Sequence, residues 1–163
     1  MASVVRDFRP ADWPAVRAIY EEGIRSGDAT FETEPPSWER WDAAHPKVRL
    51  VAEEDGSVVG WAALSPVSDR CCYEGVAEVS VYVAEASREG GVGRTLLERL
   101  VERSEDAGYW TLTAGVFPEN EASLRLHKAC GFREVGLRER LGELAGVWRD
   151  VILLERRSTL VGT

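Results

Sequence analysis

The chain has 163 residues, 44% of them hydrophobic and 29% charged, with a formal net charge of −8 and a sequence pI near 4.9. This length and composition fit one soluble globular domain whose core needs neither disulfides nor a structural metal. The acidic balance excludes sequence-independent nucleic-acid binding, which needs a basic face, and gives no attraction to anionic membranes.

In chain order, "VVRDF" (Val4 to Phe8) reads as a short strand. Pro10 to Ile24 reads as a helix, with Trp13, Val16, Ile19, Tyr20 and Ile24 near helical spacing. "SGDATFETEPPS" has two prolines and no period, which marks a loop. Ser37 suits the cap of a short helix carrying Trp38 and Trp41. "VRLVAEEDGSVVGWAAL" reads as strand, Asp55-Gly56 turn, strand. "GVAEVSVYVAE" is a strand rich in β-branched residues. Val92, Leu96, Leu97, Leu100 and Val101 form one helical stripe, which Gly108 ends. "WTLTAGVF" is a strand, "NEASLRLHKACGF" a helix stopping at Gly131, and "EVGLRERL" and "GVWRDVILLERR" two last strands. The order β-α-α-β-β-β-α-β-α-β-β mixes hairpins with strand–helix–strand units. It predicts a mixed sheet with helices on both faces.

No long apolar run opens the chain, and none approaches the roughly 18–20 residues of a membrane span, so neither a signal peptide nor a membrane helix is expected. Cys71 and Cys72 are adjacent and Cys130 stands alone, a usage that points to a reducing cytoplasm. Two histidines without a CxxC pair leave little material for a metal site, and none is expected.

The stretch "SREGGVGRTL" lies between the central strand and the helix that follows it. Backbone N–H groups at a helix N-terminus are unpaired and partly positive, and glycines let a ligand come close. Together these make a pyrophosphate cradle. Residues 88–103 hold four arginines against three glutamates, a locally favourable place for an anion in an acidic chain. GxGxxG fails because its third glycine position is Leu96, and no GxxxxGK[ST] occurs. Taken alone, the loop can equally be a glycine-rich β–α turn without a ligand.

R-x-x-G-x-G (Arg88 to Gly93) after "EVSVYVAE", followed by "FPENEASLRLHKACGF", resembles the GNAT superfamily of acyl-CoA-dependent N-acetyltransferases. "TFETEPPS", "SVYV", "N-x-x-S-x-x-L-H-x-x-x-G-F" and "G-x-W-x-D" are similar to its phosphinothricin and methionine sulfoximine acetyltransferase branch. The resemblance implies a central, mostly antiparallel mixed sheet flanked by helices, formed by a single domain over residues 1–163, with acetyl-CoA as donor. It places the pyrophosphate loop on Arg88, Glu89, Gly90, Gly91, Val92, Gly93, Arg94 and Thr95. The strand edge around Val81, Tyr82 and Val83 would pair with the pantetheine arm. Asn120 matches a motif asparagine that contacts pantetheine or nearby backbone, and Ser123 lies one turn before His127.

Glu78 matches the branch's glutamate and is the expected general base, acting directly or through one water. A backbone N–H near Val81 would stabilise the oxyanion. His127 stands where many members place a tyrosine acid, so it is a candidate for proton transfer. Phe31 and Glu34, with Glu32 between them in the same loop, Arg70, Tyr73 and Trp148 fall where the branch contacts substrate. Arg70 offers a fork for a carboxylate or phosphinate. Asp150 belongs to the same motif as Trp148. The chain departs from the phosphinothricin enzymes at "LAGVW", which lacks their histidine before the tryptophan, and in the "DRCCYEG" loop. The implied protein is a cytoplasmic homodimer that acetylates a small amino-acid-like amine. A polyamine, an antibiotic or a protein N-terminus stays open as acceptor, and a non-catalytic acetyl-CoA sensor is the reading from another class.

Overall fold

In the computed structural model, which describes residues 3–163, the apolar patterning resolves into seven strands and four α-helices. They are β1 (Val4–Asp7), α1 (Trp13–Ser26), α2 (Trp38–Ala44), β2 (Arg49–Glu54), β3 (Ser57–Pro66), β4 (Val76–Val83), α3 (Val92–Asp106), β5 (Thr111–Val116), α4 (Glu121–Ala129), β6 (Arg133–Leu144) and β7 (Val147–Arg157). One sheet joins the strands in the order β1-β2-β3-β4-β5-β7-β6. Every neighbouring pair is antiparallel except β4 and β5, which run parallel.

The expected helix from Pro10 is split. Pro10–Asp12 forms a 3₁₀ turn, and the α-helix runs from Trp13 to Ser26, with Gly27 left-handed at its end. The Asp12 carboxylate explains the break: it accepts from the Arg9 backbone N–H and from the Arg6 guanidinium, which holds the turn against β1. The β2–β3 hairpin turns at Asp55 and Gly56, both with positive φ, as the Asp-Gly pair predicts. The β6–β7 hairpin uses the same geometry at Ala145 and Gly146. Alanine is a weak marker for that conformation, so this turn is harder to read from sequence. Strand β6 is also longer than the "EVGLRERL" expectation and carries register shifts along its pairing with β7.

Helices cover both faces. On one face, Leu96, Leu97 and Leu100 of α3 pack on Leu50, Ala52, Ala62 and Leu64, with α4 beside them. On the other, α1 and α2 enclose Trp41 and Trp61 with Val51 and Ala63. Strands β2 and β3 are therefore buried on both sides, which explains their nearly unbroken apolar runs. Gly75 anchors the parallel pair: Trp110 packs where a Gly75 side chain would stand, and its backbone N–H donates to the Gly75 carbonyl at 2.8 Å.

Candidate active site

The parallel pair defines the site. β4 and β5 stay in register for only three residues, Val76–Thr111, Ala77–Leu112 and Glu78–Thr113. Beyond Glu78 they part. A cavity of about 420 Å³ opens between Val79–Tyr82 of β4 and Ala114–Val116 of β5, and a groove of about 450 Å³ continues from it along Val81–Val83. Ala29, Val81, Tyr82, Asn120 and Ser123 line both, so the two spaces form one channel.

Glu78 stands at the point of divergence. Water reaches its carboxylate through the cleft, but protein surrounds it on the other sides. That desolvation raises its pKa above the ordinary glutamate value. Val79, Val81 and Val83 pack toward α3, so alternation turns Glu78, Ser80 and Tyr82 to the α1 face. Tyr82 stacks on Tyr20 with ring centres 4.9 Å apart, and burial raises both phenols, so they meet the cavity as neutral hydroxyl groups.

The glycine loop closes the far end. Gly91 caps α3 in the left-handed region at φ 82°, and no side chain caps this helix end. The first intrahelical bond is Thr95 N–H to the Gly91 carbonyl, so the preceding amides of the helix are free for an anion. Glu89, Gly90 and Gly91 are exposed, Val92 is buried, and Gly93 packs against Leu126 and Val83. Arg88 lines the groove and donates from Nε to the Val83 carbonyl at 3.3 Å. Arg94 pairs with Glu98 on the surface, and the Thr95 hydroxyl donates to the Gly91 carbonyl within its own helix. The groups the loop leaves unpaired are thus the backbone amides at the start of α3.

Asn120, Ser123 and His127 lie along α4, with Asn120 at its N-cap and His127 in its last turn. The Asn120 side-chain oxygen accepts from Ser123 N–H at 3.1 Å, and its amide donates to the Asp28 carbonyl at 3.1 Å. It thus caps α4 and ties it to the loop that follows α1. His127 is buried, and its Nδ1 lies 2.7 Å from the Ser123 carbonyl oxygen. A carbonyl only accepts, so this contact assigns the hydrogen to Nδ1. Burial also holds the imidazole below its ordinary pKa. At neutral pH His127 is therefore uncharged, with a lone pair at Nε2.

The loop from Gly27 to Ser37 roofs the cavity. Arg149 of β7 holds it: its guanidinium donates to the Gly27 carbonyl at 2.9 Å and to Asp28 at 2.8 Å, and lies 4.1 Å from the centre of the Phe117 ring. Phe31 meets Phe117 edge-on and covers Gly142, where a Cβ would stand 2.8 Å from its ring. Phe31 and Glu32 line the cavity, whereas Glu34 is exposed and does not. Arg70 and Tyr73 stack on each other at 5.6 Å, outside the cavity. Trp148 is 59% exposed and also outside, and Asp150 accepts from Arg140 N–H. Tyr20, Arg138 and Arg149 escaped sequence reasoning. Tyr20 reads as one more core position of α1, and Arg138 and Arg149 lie in a hairpin whose register local pattern does not reveal. Among the described residues, no group of three or more histidine, cysteine or acidic side chains is arranged to hold a metal.

Comparison with known proteins agrees with this geometry. The profile described as "Acetyltransferase (GNAT) family" matches residues 13–132. A phosphinothricin N-acetyltransferase of Alcaligenes faecalis is 40% identical over 162 residues, covering 95% of this chain and 82% of the relative. An L-methionine sulfoximine/L-methionine sulfone acetyltransferase of Pseudomonas aeruginosa is 30% identical, covering 95% and 94%. A GNAT superfamily phosphinothricin acetyltransferase from Sinorhizobium meliloti, solved in complex with acetyl-CoA, superposes with a TM-score of 0.91 at 30% identity, covering 99% of this chain and 91% of that one.

Proposed function

The chain belongs to the acetyltransferase (GNAT) family, and from that premise we propose that it acetylates the primary amine of a small amino-acid-like acceptor, with Glu78 as general base. Acetyl-CoA is the acetyl donor and the protein is an N-acetyltransferase of the phosphinothricin-like branch. The observation that carries the reading is the position of Glu78 in the wall of the acceptor cavity, at the point where β4 and β5 part.

The groove and the uncapped start of α3 fit the donor's shape. The unpaired half of β4 offers backbone to an extended pantetheine arm, and the free amides at Val92–Arg94 face its pyrophosphate. Bound there, acetyl-CoA supplies an activated thioester. The acceptor nitrogen forms a bond to the acetyl carbon as the carbon–sulfur bond breaks. An ammonium acceptor loses two protons in all. One passes through Glu78 to solvent, and the other ends on the released thiol. Glu78 suits this task because partial desolvation in the cleft raises its pKa and makes it a stronger base than a fully solvated glutamate. His127 enters as a neutral imidazole that accepts a hydrogen bond at the cleft wall. In that form it has no proton at Nε2 to give a thiolate.

Among the described residues no helix is long and apolar enough to cross a membrane. We place the protein in the cytoplasm, as one domain acting as a homodimer. Support for the dimer comes from Val135, Leu137, Val147 and Trp148, large apolar side chains exposed on the β6–β7 hairpin at the sheet edge.

The test is thiol release from acetyl-CoA across methionine sulfoximine, methionine sulfone, phosphinothricin, common amino acids, polyamines and a short peptide. Glu78→Gln should lower turnover about 10²–10⁴-fold while acetyl-CoA affinity stays nearly intact. Unchanged turnover removes Glu78 from the mechanism. Turnover with polyamines or peptide alone replaces the acceptor class.

A further inference from the structure

An amino-acid acceptor that turns its amine to Glu78 must lay its side chain elsewhere in the cavity. We infer that Gly115 forms the floor of a side-chain pocket, and that this pocket selects α-amino acids whose side chains end in an apolar group about four atoms from the α-carbon. This inference rests on the proposed small amino-acid acceptor.

Ala114 and Val116 pack toward α3, so alternation turns Thr113, Gly115 and Phe117 to the opposite face, the one roofed by the Gly27–Ser37 loop. Gly115 is the gap in this row. It is exposed although both its neighbours are buried, because the cavity opens above it. Its partner Leu153 and the next residue of that face, Val151, stand beside the gap on β7. Phe117 closes one end, with Phe31 of the roof edge-on to it at 4.9 Å between ring centres. The walls of the gap are therefore hydrocarbon. A glycine inside a strand gives up side-chain packing, and one use of that loss is to let a ligand approach the backbone. A Cβ added at Gly115 would stand 3.2 Å from Val151, so even one methyl group would fill the floor. A second glycine fixes the roof. A Cβ at Gly142 would stand 2.8 Å from the Phe31 ring, so Phe31 sits as low over the hairpin as the backbone permits.

The span from Glu78 fits one acceptor. Glu78 opposes Thr113, and Gly115 lies two residues further along β5. Two residues advance about 6.6 Å along the strand and one strand step adds about 4.8 Å across it, so the two Cα atoms are about 8 Å apart or more where the strands diverge. A hydrogen bond of about 2.9 Å from Glu78 to the amine, followed by five bonds of about 1.2 Å advance each, carries an extended chain about 9 Å, to its fourth side-chain atom. A longer chain runs into Val151 and Phe117, and a shorter one leaves the apolar walls uncovered. The pocket reads the end of the side chain. Oxygens on a sulfur or phosphorus before that end lie outside it, and the cavity wall offers them Tyr20 and Arg138.

The experiment compares acceptors that share the amine and the α-carboxylate: methionine sulfone, ethionine sulfone with one more carbon, homocysteate with an oxygen in place of the terminal methyl, and alanine, too short to reach the pocket. The wild-type protein should use methionine sulfone at least about 10-fold better than homocysteate or alanine in kcat/KM. Gly115→Ala fills the floor, so the ratio of methionine sulfone to alanine should fall about 10-fold. Val151→Ala removes the contact that the new Cβ would crowd. The double variant Gly115→Ala, Val151→Ala should therefore recover most of that ratio, and Val151→Ala alone should improve ethionine sulfone relative to methionine sulfone. Acetyl-CoA binding reports that each variant is folded. Equal use of methionine sulfone and alanine by the wild type, or a preference for homocysteate, overturns the inference while leaving amine acetylation in place. An equal fall on every acceptor in Gly115→Ala would put Gly115 against the donor and overturn it too, as would an unchanged ratio. Silence with every amino-acid acceptor, with acetyl-CoA still bound, removes the underlying reading and this inference together.

Discussion

Replacing Arg149 with methionine would unpin the loop that roofs the cavity. Arg149 gives three short contacts, the Gly27 carbonyl at 2.9 Å, the Asp28 carboxylate at 2.8 Å and the Phe117 ring at 4.1 Å, beside a longer ion pair to the exposed Glu119 at 3.6 Å. Its side chain is 14% exposed and that of Asp28 is 48% exposed, so solvent screens the ion pair. The pair then contributes about 0.5 kcal/mol, the bond to the carbonyl about 1 kcal/mol, and the cation over the ring about 1 kcal/mol. Methionine keeps part of the aliphatic packing. The expected loss is about 2–3 kcal/mol, or about 5–10 °C in Tm for a chain of this size. Urea and thermal unfolding measure it, with Asp28→Ala and the double variant completing a cycle. Asp28→Ala should cost less than about 1 kcal/mol, and the double variant should cost less than the sum of the two. Because the loop carries Phe31 and Glu32, the KM for the acceptor should rise. A loss under about 0.5 kcal/mol with an unchanged acceptor KM would refute the clamp. Asn120 and Phe31 would then be sufficient to hold the loop.

Gly91→Asp should raise the Kd for acetyl-CoA at least about 10-fold, because a carboxylate would meet the pyrophosphate at a free helix N-terminus. Gly91 has φ 82° and nothing within 4 Å of an added Cβ, so Gly91→Asn serves as the uncharged control that tolerates this conformation. Equal acetyl-CoA binding by wild type and Gly91→Asp would remove the loop assignment. Glu78 acts in its ionised form, and burial raises its pKa, so kcat/KM should fall as pH drops through a value above that of an ordinary glutamate. That limb should be absent from the residual activity of Glu78→Gln. The same shift means that folding favours the protonated form. Its stabilising contribution is present at low pH and is lost as pH rises through the folded-state pKa, so Glu78→Gln should gain stability relative to wild type at pH 7 rather than at pH 4. Sedimentation should show a dimer that Trp148→Glu weakens, and a wild-type monomer at micromolar concentration would exclude the hairpin as an interface.

Much of the architecture is written locally. β-branched residues at alternate positions make β4 a strand, Asp55-Gly56 supplies the two left-handed residues of a hairpin, and the stripe from Val92 to Val101 needs a core to bury it. The placement of Glu78 on β4 and of the glycine loop before α3 was legible for the same reason: each depends on neighbours within a few residues. The cleft was not. β4 and β5 both read as ordinary apolar strands, and nothing in either says that they pair for three residues and then separate. Asn120 illustrates the difference. Its capping of Ser123 follows from its place before α4, but its bond to the Asp28 carbonyl spans 92 residues. The choice between arginines is the sharpest case. Arg70 stacks on Tyr73 outside the cavity, while the pairing of Arg138 with Val151 across β6 and β7 brings Arg138 to its wall. Local preference selects helix, strand and turn because those depend on nearby backbone. Which side chains share a cavity depends on strand order, register and bulges, and these emerge only when distant segments pack together.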